Sequence, residues 1–337
     1  MRDPLQVSVL VVGAGSIGAR HLRNLRQLGV QRLSVCEPDP ERSAPLAKEL
    51  GIAAFSDFAH AFSAQKPDAV FICTPPVCHV SLALQALECG AHIFIEKPLS
   101  HDLQGVDELI RVSVEQKRIV QVGYNLRFHP GLKQLKELID HGTLGRVLWA
   151  CVEAGQYLPD WRPWQDYRQS YTARRDLGGG ILLDGSHELD YVLWLLGKPC
   201  AVMCMAGRVS DLAVNVEDCA DLLLRFSSGT QVQVHLDFVQ RGYARTCKLV
   251  GERATACWDF CQNEVRVFSG DDKRWESLAY SFEPNDMYVA EARHFLECIA
   301  AGEPPVVPLA DATDTLKLVL MAKSAAASGH MEWLKWS

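Results

Sequence analysis

The sequence predicts an α/β chain in two parts: a doubly wound parallel sheet first, then an α+β domain whose sheet is largely antiparallel. Three observations carry that prediction. Short apolar runs alternate with amphipathic stretches over residues 1–125. A glycine-rich turn, Gly13-Ala14-Gly15-Ser16-Ile17-Gly18, separates the first apolar run from the first helical stretch. Beyond residue 146 the period of the apolar residues changes to two.

The elements follow in order. Residues 7–12 are an apolar run that ends in glycine, as a buried parallel strand does. Ile17, Leu22, Leu25 and Leu28 recur at helical spacing, and Gly29 stops the helix. Residues 33–37, 69–74, 92–96 and 119–123 are further strands. Leu82, Ala83, Ala86 and Leu87 form a helical stripe closed by Gly90. This strand–helix alternation predicts a dinucleotide-type doubly wound sheet for residues 1–125. In the second half, Val232, Val234, Leu236 and Phe238 alternate with polar residues. They follow the strand 221–226 across Ser227-Ser228-Gly229, which reads as a hairpin. Residues 146–153, 201–206, 246–250, 254–259 and 264–268 are also strand-like. Helices over about 287–301 and 311–327 close the chain. The boundary is placed at Asn125, leaving 126–337 for substrate binding and oligomerisation.

Composition narrows the function classes. A chain of 337 residues suits two cores better than one. Its 48% apolar and 22% charged residues are those of a globular protein, and a net charge of −7 offers no basic footprint for nucleic acid. No secretory signal and no apolar run long enough to span a membrane is visible. The twelve cysteines include no CxxC pair, and the spacings Cys200/Cys204 and Cys257/Cys261 have no zinc-type partners. They read as reduced thiols in a cytoplasmic protein, and no metal is expected.

The glycine turn has the form G-x-G-x-x-G between a strand and a helix, the context that a dinucleotide site needs. Gly13 permits the tight turn, Gly15 lets main chain approach a pyrophosphate, and Gly18 lets helix and strand pack closely. With Ser16 and Ile17 they open a helix whose free N–H groups face phosphate. Glu37, at the end of the second strand, is placed to accept hydrogen bonds from both ribose hydroxyls and to repel a 2′-phosphate. Like charges about 4 Å apart cost about 1–4 kcal/mol, so NAD is expected over NADP. Asp39 is a substitute for that role, and Arg42 nearby blunts the discrimination.

Strand ends of such a sheet point at the cofactor. Thr74-Pro75-Pro76, followed by His79, ends one strand, and Glu96-Lys97-Pro98 ends another. Thr74, Pro75, Pro76, His79, Glu96 and Lys97 are assigned to the cofactor's side. Hydride removal from an alcohol carbon needs a base for the hydroxyl proton and a donor for the oxygen. Lys97, Asp184 and His187 are the candidates for these jobs, although a helix N-cap competes as the role of Asp184. Tyr124, Asn125 and Arg127 open the second half. Tyr157, Trp161, Arg162, Trp164, Tyr167 and Arg174 precede the glycine run 178–180. Aromatic faces and arginine forks suit sugar rings and acidic substituents, so these residues are candidate substrate contacts.

Taken together and in this order, the N-terminal GxGxxG, the EKP at 96–98, the GYNLRFHP at 123–130 and the GGGILLDGSHELD at 178–190 resemble the Gfo/Idh/MocA family, the glucose–fructose oxidoreductase and inositol dehydrogenase group. The resemblance covers nearly the whole chain. It implies a Rossmann domain with NAD(H), acting on a hydroxyl or keto carbon of a sugar, sugar acid, nucleotide sugar or cyclitol. It implies that Lys97 touches the substrate hydroxyl and precedes a cis proline, and that His187 is the catalytic base. The family often places an aspartate four residues before that histidine. Here Leu183 holds that position and Asp184 lies one residue late. A homodimer or homotetramer is also implied. Two other readings share the fold: a glycosidase that oxidises, eliminates and returns the hydride, and a non-catalytic nucleotide-binding regulator.

Overall fold

The apolar runs of the first part become a parallel sheet because each is buried on both faces and each is followed by a helix that returns the chain. A computed structural model describes residues 3–336. In chain order the first part holds β1 (Val9–Val12), α1 (Ser16–Leu28), β2 (Leu33–Cys36), α2 (Pro40–Leu50), β3 (Ala53–Phe55), α3 (Phe58–Gln65), β4 (Ala69–Ile72), α4 (His79–Glu88), β5 (His92–Ile95), α5 (Val106–Glu115) and β6 (Val120–Val122). The strand order is β3-β2-β1-β4-β5-β6. The direction of winding reverses between β1 and β4, where a doubly wound sheet opens its ligand crevice. The edge strand β3 was absent from the sequence reading. It has three residues, Ala53 and Ala54 exposed and Phe55 half-buried, too few for any period to show.

The second part begins with α6 (Pro130–Asp140) and β7 (Val147–Gly155). It continues through α7 (Leu158–Trp161), α8 (Ile181–Asp184), α9 (Ser186–Leu196), β8 (Ala201–Gly207), β9 (Cys219–Arg225), β10 (Gln231–Asp237), β11 (Ala244–Gly251), β12 (Ala254–Asp259), β13 (Glu264–Ser269) and β14 (Arg274–Ala279). Nine strands lie in the order β14-β13-β12-β11-β7-β10-β9-β8-β15, where β15 is Glu332–Trp333. Every pairing is antiparallel except β7 with β10. Strand β10 alternates as the sequence predicts: Val232, Val234 and Leu236 are buried and Gln231 and Gln233 exposed. Strand β14, which the sequence reading lacked, is exposed along its whole length and shows no apolar alternation.

Two late helices, α10 (Asp286–Ala301) and α11 (Leu309–Ser328), complete the chain. The compact units are Met1–Asn125 with Pro284–Thr313, and Leu126–Glu283 with Asp314–Ser337. The sequence reading gave everything after 125 to the second domain. Instead α10 packs on α1, and Phe295 joins Phe71 and Phe94 in the core of the first unit. Residues 307 and 308 also cover the open edge of β6. An amphipathic helix announces that it needs an apolar surface, but not which one.

Candidate active site

Each unit carries one group of site residues. In the first, Gly13 has φ +96°, and a side chain there would press on the Cys73 carbonyl oxygen at 2.7 Å. A β-carbon on Gly18 would lie 1.9 Å from the Gly13 carbonyl oxygen, so the turn closes on helix α1 only with glycine at that position. Gly15 differs: nothing lies within 4 Å of where its β-carbon would be. It faces open space at the start of α1, as a main chain cradling phosphate should. The Thr74 hydroxyl is buried and has no hydrogen-bond partner among the described residues. The residues therefore fit a dinucleotide, with residues 13–17 for the phosphates. Glu37 is nearly buried, and its carboxylate accepts from the Ala14 N–H at 2.7 Å and the Asp39 N–H at 3.1 Å. The same carboxylate thus braces the glycine turn from just beyond the end of β2. Asp39 itself caps α2 and pairs with Arg42 at 3.3 Å.

Lys97 follows β5 on the same edge of the sheet, and the Lys97–Pro98 peptide is cis, as the resemblance implied. Two neighbours assigned to the cofactor from sequence turn inward. His79 is buried, with Nδ1 2.9 Å from the Pro98 carbonyl oxygen and Nε2 2.8 Å from that of Thr74. It ties two strand ends together, because the short turn at Pro76–Cys78 folds its ring beneath them. Burial lowers its pKa. The Glu96 carboxylate points to His21 on α1, at 2.6 Å. Tyr124 is fully buried, and Asn125 hydrogen-bonds Tyr288 within the first unit.

In the second unit the glycine run is a packing device. A β-carbon on Gly179 would lie 2.1 Å from the Tyr171 carbonyl oxygen, and Gly180 has φ +112°. This close approach brings Tyr171 and Thr172 against Asp184, whose carboxylate accepts from the Tyr171 hydroxyl at 2.9 Å and the Thr172 hydroxyl at 2.6 Å. Asp184 is therefore not the cap of α9; that position is Gly185, which also interrupts the helix between Asp184 and His187. His187 lies in the first turn of α9 and is 8% exposed. Two buried arginine pairs hold that helix. Arg245 Nε is 2.9 Å from Glu188, and Arg127 makes a two-pronged contact with Asp190 at 2.8 and 2.9 Å. Arg127, expected from sequence to meet substrate, has its fork engaged in the core, with 3% of its side chain exposed.

The aromatic segment divides in the same way. Trp161, Arg162 and Tyr167 line one pocket with Leu158, Gln165 and Ser170. Tyr157 is covered by the Arg241 guanidinium, 3.6 Å from the ring centroid. Arg174 is exposed and paired with Asp176, and Trp164 is 78% exposed, so neither lines that pocket. Sequence reasoning missed Tyr171, Thr172, Arg241 and His21, which become neighbours of the predicted residues only through the fold. Folding also gathers ionisable side chains from separate elements: Cys219 with Asp221 and His235, and likewise His21 with Glu96 and Glu291. No linear spacing could reveal sets drawn from separate elements.

A glycine cradle at the reversal of a parallel sheet, a carboxylate just beyond β2 and a lysine on the same sheet edge fit an NAD-binding oxidoreductase. Comparison with known proteins gives the particular family. Residues 7–124 match the model described as "Oxidoreductase family, NAD-binding Rossmann fold", and residues 132–257 match the GFO/IDH/MocA C-terminal domain. The chain belongs to the Gfo/Idh/MocA oxidoreductase family, and its cofactor is NAD. It is 30% identical to inositol 2-dehydrogenase 3 of Saccharopolyspora erythraea, over 74% of this chain and 72% of that one. It is 27% identical to myo-inositol 2-dehydrogenase of Thermotoga maritima, over 94% and 95%. A solved levoglucosan dehydrogenase in complex with NADH has the same fold, with a TM-score of 0.89, 20% identity and coverage of 98% and 100%. No helix among the described residues is long and apolar enough to cross a membrane.

Proposed function

We propose that this enzyme transfers hydride between NAD and a CH–OH or keto carbon of a sugar, sugar acid, nucleotide sugar or cyclitol. The observation that carries the reading is Lys97 at the end of β5, on the sheet edge that also bears the glycine cradle. NAD, when bound, supplies the hydride acceptor. Lys97 donates a hydrogen bond to the reacting oxygen and steadies it as it becomes a carbonyl. His187 takes the hydroxyl proton. Asp184, fixed by two hydroxyl donors, orients the substrate's neighbouring hydroxyl. Trp161, Arg162 and Tyr167 contribute the walls for the ring. Glu37 selects NAD over NADP through its two free-energy terms at the ribose, acceptance and repulsion. The inositol dehydrogenases among the relatives make inositols the first compounds to try.

The test is NADH formation from NAD+ with a panel of inositols, aldoses, anhydrosugars, uronic acids and nucleotide sugars. Lys97→Ala should abolish turnover of any compound found while NADH still binds. Full turnover by that variant would remove Lys97 from the mechanism. Glycoside cleavage without net NADH would instead assign the oxidation–elimination reading.

A homo-oligomer accompanies this proposal. Met203, Met205 and Leu223, respectively 41%, 80% and 58% exposed, lie on one outward face of the second sheet. A second copy is the natural cover for such a face. Met205→Lys should lower the mass measured by light scattering; an unchanged mass would place the interface elsewhere. The twelve unpaired cysteines favour a reducing compartment, the cytoplasm.

A further inference from the structure

Behind the Lys97 strand end lies a group of ionisable side chains that the proposed reaction does not use. His21 on α1, Glu96 at the end of β5 and Glu291 on α10 are 0%, 6% and 0% exposed. One polar atom of each lies within 4.8 Å of those of the other two. His21 Nε2 is 2.6 Å from Glu96 Oε1, and Glu96 Oε2 accepts the Lys97 main-chain N–H at 3.2 Å. The rings of Phe71, Phe94 and Tyr288 surround the imidazole, with centroids 5.5, 5.1 and 6.3 Å away. His21 Nδ1 and both Glu291 carboxyl oxygens have no hydrogen-bond partner among the described residues.

We infer that His21 and Glu291 are positioning residues for Lys97: with Glu96 they form a buried cluster in which Glu291 holds a proton and Glu96, fastened by His21, anchors the Lys97 main chain. Nδ1 of His21 has no hydrogen-bond partner among the described residues while Nε2 meets Glu96, so the ring proton belongs on Nε2, where it is donated to Glu96. Two ionised carboxylates this close in a water-excluded interior repel strongly, and one of them keeps its proton. Glu96 has two N–H donors to stabilise its charge; Glu291 has none among the described residues. Burial and the Glu96 charge both push the Glu291 carboxyl well above the ordinary range, against the pull of Arg20. Apart from Arg20, the ionisable groups facing the cluster supply no counter-charge. The Cys73 thiol is kept neutral by burial and by Glu96. The Tyr288 phenol is also kept protonated by burial, and Arg20 lies over its ring, 4.3 Å from the centroid.

The inference rests on Lys97 as the substrate contact for its importance, but it is tested without substrate on the full chain. Infrared difference spectroscopy of wild type against Glu291→Gln at neutral pH should show a carboxylic-acid carbonyl band that the variant lacks. The Lys97 amine, reductively methylated with carbon-13 and assigned by Lys97→Arg, is titrated by NMR in parallel. In His21→Ala, Glu96 loses the donor that fixes it beneath the Lys97 main chain, so the lysine is no longer held in one place. The Lys97 titration should then shift by about half a pH unit or more. His21→Gln, which retains an N–H donor, should restore most of the change. No acid band in the wild type, or the same Lys97 titration in His21→Ala, would overturn the inference. If His21→Ala does not fold, the infrared comparison and His21→Gln decide it.

Discussion

Removing the guanidinium of Arg127 separates two roles that sequence alone left indistinct. Its fork meets Asp190 at 2.8 and 2.9 Å, and the two side chains are 3% and 1% exposed. Thr315 lies 3.4 Å from the same carboxylate. Arg127→Met would leave that carboxylate in the core without its guanidinium, and loss of one partner of a buried pair costs about 3–5 kcal/mol. The loss should appear in urea unfolding as a lower midpoint with nearly the same slope. Changing the partner as well, Arg127→Met with Asp190→Leu, removes the stranded charge and should recover at least half of the loss. NADH affinity should stay within about threefold in both variants, because the pair lies wholly in the second unit. Arg127→Met with wild-type stability and a raised KM for substrate would refute this reasoning. The arginine would then be a substrate ligand.

Two further outcomes follow from the same kind of reading. Glu37→Ala should bring the affinities for NAD and NADP closer by about tenfold, measured by fluorescence titration; an unaltered ratio would mean that another residue reads the ribose. His129 is fully buried among Trp258, Phe260, Tyr280 and Phe282, and its pKa is lowered from 6.5 to about 3, chiefly by burial and then by Arg245. The unfolded chain therefore takes up this proton first. The associated stability is complete above pH 6.5 and declines as the pH falls toward 3. At pH 5 the loss is about 2 kcal/mol. The stability gap between wild type and His129→Asn should shrink by about that amount from pH 7 to pH 5, and parallel pH profiles would refute it.

The glycine turn, the strand-end lysine and the alternation of β10 were legible because each rests on neighbours in sequence. A turn needs its own glycines, and a pleated strand shows its period in a few residues. For Arg127, His79 and Glu96 the sequence shows less, for one common reason: residue type and strand-end position mark polarity, but not the direction of the side chain. Their partners are Asp190, the Pro98 and Thr74 carbonyls, and His21. Only His79 and Thr74 are close enough in sequence to have been paired by inspection. Asp184 was a candidate by residue type, one residue late of the family's register, but its place as a fixed acceptor depends on Tyr171 and Thr172, which the glycine run brings near.

The return of residues 284–313 to the first unit has a consequence for biosynthesis. A nascent chain that has just left the ribosome with its first 125 residues lacks Ala292, Phe295 and Leu296, which pack with Phe71 and Phe94. Its nucleotide-binding half must wait, with that apolar patch uncovered, until nearly nine-tenths of the polypeptide has been made. A fragment cut at the obvious boundary would be sticky rather than a usable mini-protein, and any fragment meant to stand alone needs α10 attached.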